Sequence, residues 1–152
     1  MKAVLQRVKH ARVDVDGQTV GQCAEGLMIL LGVAEGDTET DAELLARKIC
    51  NLRIFTDEND KMNLSVKDID GEALVISQFT LMANYRHGNR PDYLASASPA
   101  EANRLYEYFK SLLGRELRHV GCGVFGAHME VSLQNSGPVT IVMDSEVLRK
   151  KA

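Results

Sequence analysis

Leu27-Met28-Ile29-Leu30-Leu31-Gly32-Val33 is the longest apolar run in the chain. It is far too short to cross a bilayer, and its length and composition predict a buried strand. What flanks it decides the fold. Upstream, Ala3–Val8 reads as a first strand. Arg12–Val15 and Gln18–Gln22 then flank Asp16-Gly17, a dipeptide that supplies the positive φ of a tight hairpin. Downstream, Thr40-Asp41-Ala42-Glu43 has the spacing of a capping box, and Ala42, Leu45, Ala46, Ile49 and Leu52 form one helical stripe.

Further along, Ser98-Pro99-Ala100-Glu101 repeats the capping device with proline at the first helical position. The stripe Ala102, Leu105, Tyr106, Phe109, Leu112 and Leu113 follows, and Gly114 is a natural stop. Between the helices, Ala73–Leu81 reads as a strand, apolar until Ser77-Gln78. His128–Gln134 and Val139–Met143 are β-rich runs separated by Asn135-Ser136-Gly137-Pro138, which is turn chemistry. Two hairpins bracketing two helices predict the α/β class: a single compact domain over residues 1–152, with mixed or antiparallel sheets in two layers and two main helices packed on one face.

Composition bounds the function. The 152 residues are 45% hydrophobic and 26% charged, as in soluble globular proteins. The opening Met1-Lys2-Ala3-Val4-Leu5 runs into Arg7 and Lys9, so neither an export signal nor a membrane anchor is expected. Cys23, Cys50 and Cys122 are odd in number and irregularly spaced, which fits neither a disulfide framework nor a zinc site, and a reducing cytoplasm is the expected compartment. The net charge of −3 argues against a broad nucleic-acid footprint. Local basic clusters nevertheless occur at Arg7, Lys9, His10 and Arg12, at Arg86, His87 and Arg90, and at Arg149, Lys150 and Lys151.

Standard catalytic sets are missing. There is no His-Glu-x-x-His, no phosphate loop and no nucleophile elbow. His10, His87, His119 and His128 show no ligand spacing and are expected at the surface or on a rim; no metal and no cofactor is expected. Gly121-Cys122-Gly123-Val124-Phe125-Gly126 has dinucleotide-type glycine spacing, but it lies between a helix and a strand and reads as a bend. Two segments stand out. Ser77-Gln78-Phe79-Thr80-Leu81 puts polar side chains at the end of a buried strand, where an unpaired polar group costs about 1–3 kcal/mol. These residues alone leave a site and a satisfied turn equally open. Asn135-Ser136-Gly137-Pro138-Val139-Thr140 places proline where a strand must begin.

Together these two segments resemble the paired signature of the D-aminoacyl-tRNA deacylases. The similarity runs nearly end to end, through Met1-Lys2-Ala3-Val4-Leu5-Gln6-Arg7-Val8, Leu52-Arg53-Ile54-Phe55, Lys61-Met62-Asn63, Gly88-Asn89-Arg90-Pro91 and Phe125-Gly126-Ala127 with Met129. Departures are Asp92-Tyr93, where the family commonly has Ser then Phe, and Ser136 in place of a frequent Asp.

The resemblance implies a homodimeric esterase acting on the aminoacylated 3′ end of tRNA, with no membrane partner. It implies a site built from Ser77, Gln78, Phe79 and Thr80, with the Phe79 N–H beside the ester carbonyl. It further implies a cis Gly137-Pro138 bond inserted into the partner subunit's site as a chirality filter, held by Arg7, with Phe125, Met129 and Asn135 supporting substrate. D-amino acids, and glycine mischarged on tRNA-Ala, would pass such a filter. Two rivals are a noncatalytic binder of the aminoacylated tRNA end and a general small-molecule esterase.

Overall fold

One long strand, β1 (Lys2–Val15), is the axis of the molecule. The computed structural model describes residues 1–149. Along one edge, β1 pairs antiparallel first with β3 (Gly26–Gly32) and then with β2 (Gln18–Cys23). Along its other edge it pairs antiparallel with β8 (Glu130–Asp144). Beyond β3, β6 (Glu72–Ser77) and β7 (Val120–Cys122) add in parallel, so the sheet is mixed. A small hairpin, β4 (Phe55–Thr56) and β5 (Met62–Leu64), stands apart.

The α/β class expected from the sequence is the one observed. Helices α1 (Glu39–Asn51) and α2 (Pro99–Gly114) cover one face of the sheet. Leu45, Ile49, Leu105 and Phe109 close on Leu5, Leu27, Ile29 and Val75 there. The buried Tyr106 hydroxyl donates to the Val75 carbonyl at 2.9 Å. On the other face Val8, Ala11, Val13, Met28, Leu74 and Ile76 form a second core.

That second core is closed by the sheet rolling on itself. β2 and β7 are its two ends, yet a Cβ on Gly21 would lie 2.1 Å from the Cys122 carbonyl oxygen, and one on Gly121 would lie 2.5 Å from that of Gln22. Only glycine permits so close an approach of two backbones. A short helix, α3 (Ser145–Arg149), follows β8. Among the described residues no helix is long and apolar enough to cross a membrane.

Four local expectations are corrected. Ala3–Val8 and Arg12–Val15 belong to one continuous strand. The α1 cap lies two residues earlier than expected, at Thr38, whose N–H donates to Asp41 at 2.9 Å. The strand expected to run to Leu81 stops at Ser77. Asn135–Pro138 is not a hairpin turn: His128–Gln134 and Val139–Met143 contribute to a single strand, because β1 is long enough to pair with both.

Candidate active site

At the end of β6 the chain leaves the sheet sharply. The Gln78 N–H donates to the Leu31 carbonyl at 2.8 Å, and Phe79–Met82 then form one 3-10 turn. Gly32 makes room for this turn, since a Cβ there would lie 3.0 Å from the Gln78 carbonyl oxygen and 2.9 Å from the tip of Met82. The first hydrogen bond of the turn runs from the Leu81 N–H to the Gln78 carbonyl at 3.3 Å. The N–H groups of Phe79 and Thr80 precede it, as at any helical start. The Gln78 amide donates to the Thr80 hydroxyl at 2.5 Å. Phe79 is 54% exposed and meets the Tyr93 ring edge to face at 5.0 Å.

Ser77, Gln78 and Phe79 line a cleft of about 710 Å³, together with Phe125 and Met129. Five of the residues expected at the site are thus brought together. Phe125 leans towards the buried Tyr106 ring at 6.3 Å. Met129 sits where a Cβ on Gly123 would be, 2.5 Å from its sulfur. Thr80 is one step away, tied to Gln78. Leu94 and His128, to which no local pattern assigns a role, also line the cleft; the 83% exposure of so large an apolar side chain as Leu94 belongs to tertiary structure and leaves no periodic signal.

The lining is mainly apolar and contains no carboxylate, lysine, arginine or cysteine. All four histidines are exposed, as expected, and His128 at the rim lies 2.9 Å from the Glu130 carboxylate. Burial pushes the Cys23 and Cys50 thiols up to about 11, which keeps them protonated and unreactive near neutrality. Such a cleft can hold an apolar or aromatic group and offer main-chain N–H donors to a developing oxyanion.

The remaining expected residues gather elsewhere. Between the pairs Val8↔Asn135 and Gln6↔Thr140, the four residues 136–139 of β8 stand against Arg7 alone. This excursion is fastened from both sides. Arg7 Nε donates to the Ser136 carbonyl at 2.8 Å, while Nη1 donates to that of Ile54 at 2.8 Å. The Asn135 side chain accepts from the Val139 N–H at 2.8 Å and donates to the Val139 carbonyl at 3.2 Å; it also donates to Gln6, which in turn accepts from the Thr140 hydroxyl at 2.6 Å.

At the crest, Gly137 and Pro138 are exposed and joined by a cis peptide bond. Gly137 has φ +138. The crest on β8 and the turn after β6 are three strands apart in the sheet, through β1 and β3, and neither Gly137 nor Pro138 lines the cleft beside Phe79.

The family model for D-Tyr-tRNA(Tyr) deacylase matches residues 4–144. A D-aminoacyl-tRNA deacylase of Caldicellulosiruptor saccharolyticus is 56% identical over 146 residues, covering 96% of this chain and 98% of the relative. One from Thermosipho melanesiensis is 53% identical over 147 residues, with the same coverage of both chains. Among solved structures, a "c-Myc DNA Unwinding Element Binding Protein" superposes with a TM-score of 0.90 at 41% identity, covering 95% of this chain and 98% of that one. A "probable eukaryotic D-amino acid tRNA deacylase" shares the fold with a TM-score of 0.79 at 15% identity, over 93% and 97% of the two chains.

Proposed function

Because this chain belongs to the D-Tyr-tRNA(Tyr) deacylase family and hydrolyses the ester of D-aminoacyl-tRNA, we propose that it sorts its substrates by hand, using main-chain atoms lent by a second copy of itself. The observation that carries this reading is the separation between the Gly137-Pro138 crest and the Phe79 turn. The crest is exposed and held by Arg7 and Asn135, yet neither Gly137 nor Pro138 lines the Phe79 cleft of its own chain. In a homodimer each crest enters the partner's cleft and sets the Gly137 and Pro138 carbonyls against the substrate α-carbon. An L side chain collides with them, a D side chain points away, and glycine has nothing to collide. Discrimination then comes from rejection of the wrong enantiomer, without tighter binding of the right one.

The chemistry asked of the cleft is modest. An aminoacyl ester is already activated, so positioning of water and stabilisation of the oxyanion carry most of the rate. In this reading the Phe79 N–H receives the oxyanion, Ser77 and Gln78 order the turn, Thr80 stands beside it, and Phe125 and Met129 hold the apolar part of the substrate. The neighbouring ribose hydroxyl of the tRNA assists the water. The same filter admits glycine mischarged on tRNA-Ala, and the protein acts in the cytoplasm, where aminoacyl-tRNA is found.

The deciding experiment is release of amino acid from D-tyrosyl-, L-tyrosyl- and glycyl-tRNA by the purified chain. Fast release from the first and third with little from the second is expected; equal rates for the two enantiomers overturn the filter. A relative named for binding a DNA element favours a second reading as a noncatalytic nucleic-acid binder, for which no amino acid is released from any of the three. A general esterase instead hydrolyses free D-amino-acid esters as well as the tRNA form.

A further inference from the structure

Three basic clusters are legible in the sequence, and among the described residues the arginines of one of them, next to the cleft, have no ion-pair partner. In the first, Arg7 is turned onto main-chain carbonyls, Lys9 pairs with Glu25 at 3.3 Å, and Arg12 pairs with Asp14 at 3.3 Å. In the third, Arg149 pairs with the buried Asp41 at 3.3 Å, and Lys150 and Lys151 lie outside the described residues. The second cluster is different. Asn84 and Asp92 exchange two main-chain hydrogen bonds, at 2.8 and 2.9 Å, and close the loop 85–91, which carries Arg86, His87 and Arg90 and no carboxylate. Every residue of that loop is exposed, and among the described residues neither arginine has an ion-pair partner.

The loop also offers a stacking surface. Tyr85 is 82% exposed, far more than a tyrosine needs in order to wet its hydroxyl. The stem is rigidly joined to the cleft. Asp92 accepts the Leu94 N–H at 3.2 Å, Leu94 and Tyr93 line the cleft, and Tyr93 leans on Phe79. An exposed aromatic face flanked by unpaired cations, at the mouth of an apolar cleft in a chain of net charge −3, is the chemistry of a single-stranded nucleic-acid seat.

We infer that the loop 85–91 holds the unpaired 3′ strand of the substrate tRNA, with Tyr85 stacked on a base and Arg86 and Arg90 against phosphates, so that the terminal ester is delivered past Tyr93 into the cleft. This inference rests on the tRNA substrate proposed above. It explains how an acidic protein grips a polyanion: a small local footprint suffices for a substrate whose reacting end is single-stranded.

The test is steady-state hydrolysis of D-tyrosyl-tRNA by Tyr85→Ala and by the double variant Arg86→Gln with Arg90→Gln, at several salt concentrations. Lys48→Gln, which removes an exposed charge on α1, is the control for net charge. Loss of one stacked base raises KM at least fivefold while kcat stays within twofold. Loss of two phosphate contacts flattens the log–log salt dependence by about 1.4, the single-strand value for two charges.

A KM within twofold of the parent in both variants, with an unchanged salt slope, overturns the inference. So does an equal effect of Lys48→Gln. Fluorescence anisotropy with uncharged tRNA separates this failure from that of the functional reading. If the parent releases no D-tyrosine, weakened tRNA binding by the loop variants still supports the seat, and undiminished binding overturns it.

Discussion

Arg7 and Ser136, 129 positions apart in sequence, are joined by a 2.8 Å hydrogen bond from the guanidinium Nε to a main-chain carbonyl. Since a second donor of the same guanidinium reaches Ile54, the planar fork ties the foot of the Gly137 crest to the segment leading into β4. A lysine presents one mobile ammonium and cannot span both carbonyls in fixed geometry.

Arg7→Lys is therefore expected to leave the fold intact at a cost of about 1 kcal/mol while loosening the crest. The ratio of D- to L-tyrosyl-tRNA hydrolysis falls about tenfold or more, mainly through faster attack on the L substrate. Parallel measurement of both enantiomers checks this; an unchanged ratio removes Arg7 from the filter.

Gly137→Ala tests the crest itself. The position has φ +138, and a Cβ would lie 2.9 Å from a Val139 methyl and 3.0 Å from Arg7 Nη2. Backbone of this kind costs a residue with a side chain about 1–3 kcal/mol. The expected result is a folded protein, by circular dichroism, whose crest is displaced and whose D-tyrosyl-tRNA hydrolysis drops by about two orders of magnitude. Full activity excludes the crest from the site.

The helices and the inner strands were readable because their signals are local. The stripe Leu45, Ala46 and Ile49 and the stripe Leu105, Tyr106 and Phe109 are buried as the 3.6-residue period requires. The Asn135–Pro138 excursion misled for the same reason. Its composition is that of a turn, and only the partner strand, more than a hundred residues away, decides that the chain continues straight. The site was harder still. Ser77-Gln78 announces polar groups at a strand end, but nothing in the spacing ties Arg7 to Ser136 or sets Phe125 and Met129 beside Phe79. Those placements came from family resemblance, and Leu94 and His128 came from the structure.

A pH dependence of stability follows from Asp41. Burial pushes its carboxyl up, but the Thr38 N–H, the Ser145 hydroxyl, the Arg149 guanidinium and the Met1 ammonium together outweigh burial and hold it below the ordinary 3.8. A depressed folded value stabilises the protein above 3.8, and that contribution is lost as pH falls through the folded value. Asp41→Asn is expected to cost roughly 2 kcal/mol at neutral pH and to flatten the acid limb of Tm against pH below 3.8. An acid limb as steep as the parent's assigns acid unfolding to other carboxylates.

Thr80→Ala separates the two chemical routes. A threonine hydroxyl attacks an ester only when a base removes its proton, and the partner of the Thr80 hydroxyl is the Gln78 amide, a donor at 2.5 Å. No carboxylate or lysine lines the cleft, and its one histidine lies at the rim beside Glu130. The turn itself depends on the main-chain bonds of Gln78 and Leu81 and on the space at Gly32, none of which involves the hydroxyl. Water attack, assisted by the oxyanion donor proposed at Phe79, is accordingly the expected route. Thr80→Ala should keep a measurable fraction of kcat, on the order of 0.1 to 1 per cent or more, since removal of even a direct oxyanion donor commonly leaves about that much. Pre-steady-state release of uncharged tRNA should show no burst in the parent. A burst equal to the enzyme concentration, together with complete loss of activity in a folded, tRNA-binding Thr80→Ala, establishes an acyl-enzyme on Thr80 instead.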